Sequence, residues 1–400
     1  MKAVIMAAGE GSRMRPLSYS RPKVMLPIAN RPILEHLLIE ISEAGIKEFV
    51  FIVGYHDEQV RDYFDHGHKW GVGIEYCTQK KQVGTADALN QAREQLSGNF
   101  LVINGDIIAY RQDIARLIES KDTTMAVTQV KDGRELGMVE LSGDRVVRIY
   151  EKSLKPPSKT ANAGIYRFSP QIFEAIARTP KSPRGEYEIT DSIQLLIDGG
   201  VKVSHQPISQ WLDFSYPWDL LAANEKLLGE IKTRHARTCE ENAVIKEPVS
   251  IGTGTTIRSG AYLVGPLIIG KNCDIGPNCF IRPHTAIGDN CHIGSAVEVK
   301  NSIIMKGSKI PHQSYVGDSI IGEGCNLGAG TKIANRRLDG KNITVSEIDT
   351  GRRKLGAIIG DGVETGINVS INVGCLIGNG SHIGPGATAS GLIAPNTRIF

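Results

Sequence analysis

No run of about 18 apolar residues occurs anywhere in the chain, which excludes an ordinary membrane-spanning helix. Met1-Lys2 leads straight into Ala3-Val4-Ile5-Met6-Ala7-Ala8, a run too short for a signal-peptide core with its cleavage site. The expectation is a cytoplasmic protein with no membrane partner. An excess of one charge is missing too: 46 Lys plus Arg stand against 43 Asp plus Glu, a net charge of +3. That is far from the basic surplus that drives binding to phosphate backbones, so nucleic acid is not an expected partner. The seven cysteines are odd in number and contain no C-x-x-C pair. They suggest neither a disulfide framework nor a zinc site, in keeping with a reducing compartment. With 41% hydrophobic and 22% charged residues, the 400-residue chain has an ordinary globular composition and a length that suggests two domains.

Glycine is unevenly spread, 18 of the 44 lying in residues 1–239 and 26 in residues 240–400. A boundary is therefore expected near 230–245. Before it, short apolar runs alternate with segments of helical period: strand 2–6, helix 33–44, strand 48–53, helix 86–95, strand 100–103, and a closing helix over 219–231. That order predicts an α/β domain with a largely parallel sheet. After the boundary the period becomes six. Ile251, Ile257, Leu263, Ile269, Ile275, Ile281, Ile287, Ile293 and Val299 follow one another at that spacing. After a slip around 300–310 the pattern resumes at Ile310 and Val316, and later at Ile359, Thr365, Ile371, Ile377, Ile383 and Ala389. A six-residue repeat predicts one side of a triangular parallel β-helix per unit, the aliphatic residue stacking inward and Gly, Asn or Asp turning the corner. Residues 335–355 break the period and are expected to loop out. Such a solenoid serves equally well as a spacer or an oligomerisation rod, so specific side chains must decide its function.

Strand 2–6 runs into Ala8-Gly9-Glu10-Gly11-Ser12-Arg13 at the sheet edge where ligands collect in open α/β folds. Met14 stands where a dinucleotide fingerprint needs its third glycine, and the Gly-Lys-Ser/Thr of a P-loop is absent. What remains is a loop whose small residues admit backbone N–H groups to an anion, followed by Arg13, Arg15 and Lys23. Asp106 ends the apolar run 101–103 in Asn104-Gly105-Asp106, where a hard cation or a simple turn fits equally well.

The loop together with Arg21-Pro22-Lys23 resembles the signature of the sugar-1-phosphate nucleotidylyltransferases, over roughly residues 1–230. By that resemblance, Ala8, Gly9, Gly11 and Ser12 hold a nucleoside triphosphate, Arg13 steadies the leaving pyrophosphate, and Lys23 neutralises the attacking sugar phosphate. The resemblance also implies that Asp106 and Asp213 hold Mg2+, although Phe214-Ser215 replaces the glycine expected two residues after the second carboxylate. Gln79, Gly84 and Thr85 match the base-reading segment, which favours UTP or dTTP. Gly137, Glu151, Lys152 and Asn162 match positions that contact the sugar and its phosphate.

In the solenoid, Arg282, Lys300, His312, Tyr315 and Asn326 fall at intervals that resemble the acetyltransferase half of the bifunctional enzymes making UDP-N-acetylglucosamine. The resemblance implies that Arg282, Lys300, Tyr315 and Asn326 bind an amino-sugar phosphate. His312 is then the general base, a neutral imidazole taking a proton from the attacking amine. Ala329 or its neighbours offer a backbone N–H to the thioester oxygen of acetyl-CoA. Asn335 opens a loop that the family places across a subunit boundary. That loop's Arg336, Arg337, Lys341, Arg352, Arg353 and Lys354 read as a solvated face or as contacts to CoA phosphates, and its length resembles archaeal relatives more than bacterial ones. Cys273, Cys279 and Cys291 read as small residues repeating one wall or corner position.

The reading is a nucleotidylyltransferase domain of α/β Rossmann-like fold (1–230), a linker (231–245) and a left-handed β-helix acetyltransferase domain (246–400), similar to archaeal bifunctional enzymes. The resemblance further implies a homotrimer. Two alternatives stay open: a glucose or mannose 1-phosphate nucleotidylyltransferase whose solenoid only assembles or regulates it, and a non-catalytic assembly subunit.

Overall fold

A computed structural model of the chain describes residues 1–130, 133, 136–151 and 158–400. Contacts divide it into two compact units: residues 1–10, 22–25 and 33–213 in the first, and residues 11–21, 26–32 and 214–400 in the second.

The first unit is built on a nine-stranded sheet. Its order is Gly73–Thr78, Glu48–Val53, Lys2–Ala7, Phe100–Asn104, Thr160–Phe168, Thr123–Gln129, Val203–Pro207, Arg145–Glu151, Gly137–Ser142. The first four strands are parallel, as the alternation of strand and helix demands. Beyond Phe100–Asn104 the sheet is mixed, because Thr160–Phe168 pairs antiparallel with both of its neighbours and the last two strands form a meander. The expected parallel sheet thus covers one half only, since the hairpin-like sequence after residue 137 needs no crossover helix. Alternation along Lys2–Ala7 feeds two cores. Ala3, Ile5 and Ala7 pack with Leu34, Leu37 and Leu38 of the helix Ile33–Glu43 on one face, while Val4 packs with Ala86, Leu89 and Phe100 on the other. The expected helix 86–95 is an α-helix over Thr85–Asn90 followed by a separate 3-10 turn over Arg93–Gln95.

In the second unit the helix Asp219–Leu228 precedes the β-helix. Asn224, fully buried, donates from Nδ2 to the His284 carbonyl at 2.9 Å and accepts from the Ala29 N–H at 3.0 Å. The β-helix has three parallel walls. One contains Leu267–Ile269, Thr285–Ile287 and Ile303–Ile304, the second Asp274–Ile275, His292–Ser295 and Lys309–His312, and the third Phe280–Ile281, Glu298–Lys300 and Tyr315–Gly317. The six-spaced aliphatic residues form one continuous buried core, with Cys273, Cys279, Cys291, Cys325 and Cys375 inside it. Left-handed corner residues include Asn272, Asn290 and Gly307, so asparagine shares this task with glycine.

The slip in period has a local cause. Asp274 pairs with His292 eighteen residues on, but His292 pairs with Lys309 and Glu298 with Tyr315 only seventeen on. The buried series runs Val299, Ile304, Ile310, Val316, Ile321, Leu327, Ile333, and so the corners after Val299 and Val316 are each one residue short. Those corners carry Asn301 and Asp318, both in the left-handed region. Residues 335–355 leave the stack, as Asn326 next pairs with Glu364. This excursion is itself ordered: Thr344–Val345 and Ile348–Asp349 form a hairpin, and Ile343, Val345 and Leu355 are buried.

Candidate functional sites

In the first unit, Lys23 is brought against Asp106, its Nζ lying 2.7 Å from Oδ2. The short strand Trp211–Asp213 pairs antiparallel with Ile107–Ala109, setting Asp213 opposite Ile107 and therefore beside Asp106. Two acidic residues more than a hundred apart in sequence are thus brought to one strand end, with a cation paired to one of them. Gly105 is pinned there by a hydrogen bond from its N–H to the Met6 carbonyl (2.9 Å), which ties the Asp106 turn to the end of the first strand.

Gln79 is almost fully buried and donates from Nε2 to the Gly84 carbonyl (3.0 Å) and to Asp87 Oδ2 (2.8 Å). Its amide is therefore held in one orientation. Gly84 has φ of +123°, and a Cβ there would lie 2.3 Å from the Tyr187 carbonyl oxygen, so only glycine fits. The Thr85 hydroxyl accepts from the Ile189 N–H at 2.9 Å and is engaged with the start of the helix Ile189–Asp198. Gly54, which the sequence reading did not single out, allows the Ala8 and Gln79 segments to close up: a Cβ there would lie 2.9 Å from the Ala8 carbonyl oxygen and 3.0 Å from that of Gln79.

Gly137, Glu151 and Asn162 also come together. Glu151 is the cross-strand partner of Gly137. A Cβ on Gly137 would approach Glu151 Oε2 to 2.8 Å and Asn162 Cβ to 3.7 Å. Asn162 donates to the Tyr166 hydroxyl (2.6 Å) and accepts from the Gly164 N–H (3.0 Å). Arg184, absent from the sequence reading, joins them through ion pairs to Glu151 (3.4 Å) and Glu188 (2.6 Å). An arginine in a polar stretch carried no motif that would have marked it. Lys152 lies outside the described residues.

The remaining signature residues behave as follows. Gly9 borders open space: among the described residues, none apart from its chain neighbours lies within 4 Å of the position a Cβ would take. Ala8 is buried, and its carbonyl accepts from the Tyr55 N–H at 3.1 Å. Gly11, with φ of 66°, starts the 3-10 turn Ser12–Met14 and accepts from the Ser18 hydroxyl at 2.8 Å. The Arg13 guanidinium lies over the Tyr216 ring at 5.8 Å. Arg21 carries no exposed cation. It is buried in the second unit, ion-paired with both Glu323 and Asp361, and these carboxylates hold its pKa up against the opposing effect of burial.

On the β-helix, one corner column gathers several of the expected residues. Lys300 Nζ lies 3.0 Å from Asp318 Oδ2. Asn335 Nδ2 lies 2.6 Å from the same oxygen and 3.1 Å from the Tyr315 hydroxyl. Asn335 therefore meets Tyr315 of its own chain. Arg282, one coil before Lys300, pairs with Glu298 at 2.9 Å. His312 ends its strand, is exposed, and has no ring hydrogen bond among the described residues. The next coil lies against it, the Gly330 N–H donating to the His312 carbonyl at 3.1 Å, and this brings the adjacent Ala329 alongside. Asn326 occupies the same coil as Ala329, in register with Lys309. The loop cations Arg337, Lys341 and Arg353 line a cavity of about 430 Å³ with Asn342, Thr344 and Asp349.

Comparison with known proteins finds relatives along the whole chain. The nucleotidyl transferase family model matches residues 2–230, and the GMPPB C-terminal domain model matches residues 263–350. The chain is 41% identical to the bifunctional protein GlmU of Methanocaldococcus jannaschii, over 100% of this chain and 97% of that protein. It is 39% identical to the bifunctional sugar-1-phosphate nucleotidylyltransferase/acetyltransferase of Sulfurisphaera tokodaii, over 98% of this chain and 97% of that one. A solved structure of a glucose-1-phosphate thymidylyltransferase from Bacillus anthracis is 28% identical, with a TM-score of 0.53, covering 59% of this chain and 98% of its own. An N-terminal nucleotidyl transferase fold, a left-handed β-helix following it in sequence, and similarity running the whole length place this chain in the family of bifunctional sugar-1-phosphate nucleotidylyltransferase/acetyltransferases.

Proposed function

We propose that the β-helix site acetylates an amino-sugar 1-phosphate, glucosamine 1-phosphate or galactosamine 1-phosphate, with acetyl-CoA. The first site then joins the N-acetyl-sugar 1-phosphate to UMP or dTMP drawn from the triphosphate, releasing pyrophosphate. The observation that carries the reading is the Lys23–Asp106 pair with Asp213 set beside it across the strand pairing.

Two anions must meet in nucleotidyl transfer, so the protein's work is positioning and charge neutralisation. Lys23 bears on the sugar-phosphate oxygen that attacks the α-phosphorus, and Arg13 on the departing pyrophosphate. Asp106 and Asp213 are hard oxygen donors at one strand end and suit Mg2+, which when bound would neutralise phosphate charge. Buried Gln79, fixed by Gly84 and Asp87, reads the edge of the pyrimidine. Gly137, Glu151 and Asn162 hold the sugar, with Lys152 assigned by resemblance alone. In acetyl transfer, Arg282, Lys300, Tyr315 and Asn326 bind the sugar phosphate while His312 takes the proton from the amine as its nitrogen attacks the thioester carbon. A backbone N–H near Ala329 steadies the resulting oxyanion, and the CoA thiolate departs. Asn335 completes this site, and a homotrimer is the assembly the family resemblance favours.

The test is to incubate the protein with acetyl-CoA and each amino-sugar 1-phosphate, then with UTP or dTTP, following free thiol and pyrophosphate separately. His312→Ala should remove thiol release and, when N-acetyl-sugar 1-phosphate is supplied directly, spare pyrophosphate release. Pyrophosphate release from glucose or mannose 1-phosphate with no thiol release from any amino sugar would establish the single-activity alternative.

A further inference from the structure

We propose that Asp318 is a positioning residue for acetyl transfer, setting the direction of the hydrogen bonds that make Tyr315 a donor to the sugar phosphate. The proposal rests on the acetyltransferase reading above. Asp318 occupies one of the two shortened corners, in the left-handed region, with its side chain only 3% exposed. Its carboxylate accepts from Lys300 Nζ and Asn335 Nδ2 on Oδ2, and from Asn301 Nδ2 on Oδ1 at 2.8 Å. A carboxylate can only accept, so Asn335 must turn its amide nitrogen toward it. That nitrogen has a second hydrogen, and the neighbour within reach is the Tyr315 hydroxyl oxygen at 3.1 Å. Tyr315 accepts there, and its own hydrogen is left to point elsewhere. Beside an ammonium group already drawn in by Asp318, a phenol with a free hydrogen suits an anionic phosphate.

The neighbouring residues agree with this direction. Asn301 Nδ2 also reaches Glu225 Oε1 at 2.9 Å, so both faces of that amide nitrogen meet carboxylates, and Glu225 is paired in turn with Arg352 at 3.0 Å. Gly317 permits the crowding, because a Cβ there would lie 2.6 Å from the Tyr315 hydroxyl and 2.7 Å from Asn335 Nδ2.

The full-length protein is assayed for thiol release against amino-sugar 1-phosphate concentration, with a thermal melt of each variant. Asp318→Asn should raise KM for the sugar phosphate about tenfold or more, as expected for losing a hydrogen bond to a charged group. Tyr315→Phe should do the same, and adding Asp318→Asn to it should raise KM by clearly less than the product of the two single effects, since both act on one hydroxyl. The swap Asp318→Asn with Asn335→Asp keeps the net charge and leaves a carboxylate at this corner, but makes residue 335 an acceptor, drawing the Tyr315 hydrogen inward. It should still show the raised KM, and its melt is read beside that of Asp318→Asn. Restoration of KM by the swap, an Asp318→Asn KM within twofold of wild type, or independent multiplication of the two single effects overturns the proposal. If Asp318→Asn does not fold, the swap and Tyr315→Phe decide it. A wild-type protein that releases no thiol with any amino sugar overturns the functional reading, and this proposal with it; active wild type with unaffected variants overturns this proposal alone.

Discussion

Replacing Lys23 by alanine should separate catalysis from stability in the first unit. The lysine is 11% exposed, and its partner Asp106 is 38% exposed with a 2.7 Å contact. With its carboxylate partner this exposed to solvent, the pair contributes only about 1 kcal/mol to folding. For a domain of this size that is a drop of roughly 2–4 °C in melting temperature. The same ammonium, placed where charge builds up on phosphate oxygens, acts in the transition state. Loss of one such donor costs about 3–4 kcal/mol, or roughly 10²–10³ in kcat. Pyrophosphate release, measured at saturating triphosphate and sugar phosphate, should fall by that factor while thiol release from acetyl-CoA is unchanged. The split between kcat and KM carries further information: a rise in KM alone would mean that Lys23 binds ground state and transition state equally. A kcat within fivefold of wild type would refute the role given to Lys23, and a large loss of melting temperature would show that the pair holds the fold.

Gly84→Ala should cost about 3 kcal/mol from the clash with the Tyr187 backbone and the left-handed φ, lowering the first transition by several degrees and raising KM for the triphosphate through Gln79; an unchanged melt counts against the geometry. Arg21→Met leaves Glu323 and Asp361 without their shared cation and should destabilise the second unit by about 3 kcal/mol, read by thermal or urea unfolding. Of the seven cysteines only Cys239 is exposed, so a thiol reagent should label one site per native chain and seven after denaturation. Burial pushes the Cys279, Cys325 and Cys375 thiols up from 9.0 to about 12. In that window the unfolded chain gives up protons that the folded one keeps. This contribution to stability is complete below pH 9 and is lost as pH climbs toward about 12, a decline that alkaline urea titrations should detect; a flat stability across that window would contradict it.

The period-six run from Ile251 to Val299 was legible because each inward position is fixed by its coil and needs no distant partner. The same logic failed after Val299. A corner one residue short shifts the count without changing the wall, so Ile304, Ile321, Leu327 and Ile333 went unread although all four are buried. In the first unit, strands 2–6 and 48–53 announced themselves as short apolar runs, whereas the antiparallel half of the sheet depends on pairings between segments far apart in sequence. The site followed the same division. Residues in contiguous motifs, such as Lys23 and Asp106, could be named in advance by resemblance. Arg184, Gly54 and Asp318 could not, because what marks them is proximity: an ion pair to Glu151, a backbone approach between residues 8 and 79, and a buried oxygen shared by Lys300 and Asn335.

The two clipped corners bear on how such a rod can change during evolution. An odd-numbered deletion inside a wall would turn every later aliphatic residue outward, so lengthening or trimming must come in whole storeys or be absorbed where the chain bends. Here the bends after Val299 and Val316 have each given up a residue, and the next circuit, between Asn326 and Glu364, has taken on an extra twenty while the storeys above and below stay in step. Tolerance to change of length is thus concentrated along one vertical seam, the seam that also carries Lys300, Asp318 and Asn335, and chemistry there can be remodelled without disturbing the masonry that supports it.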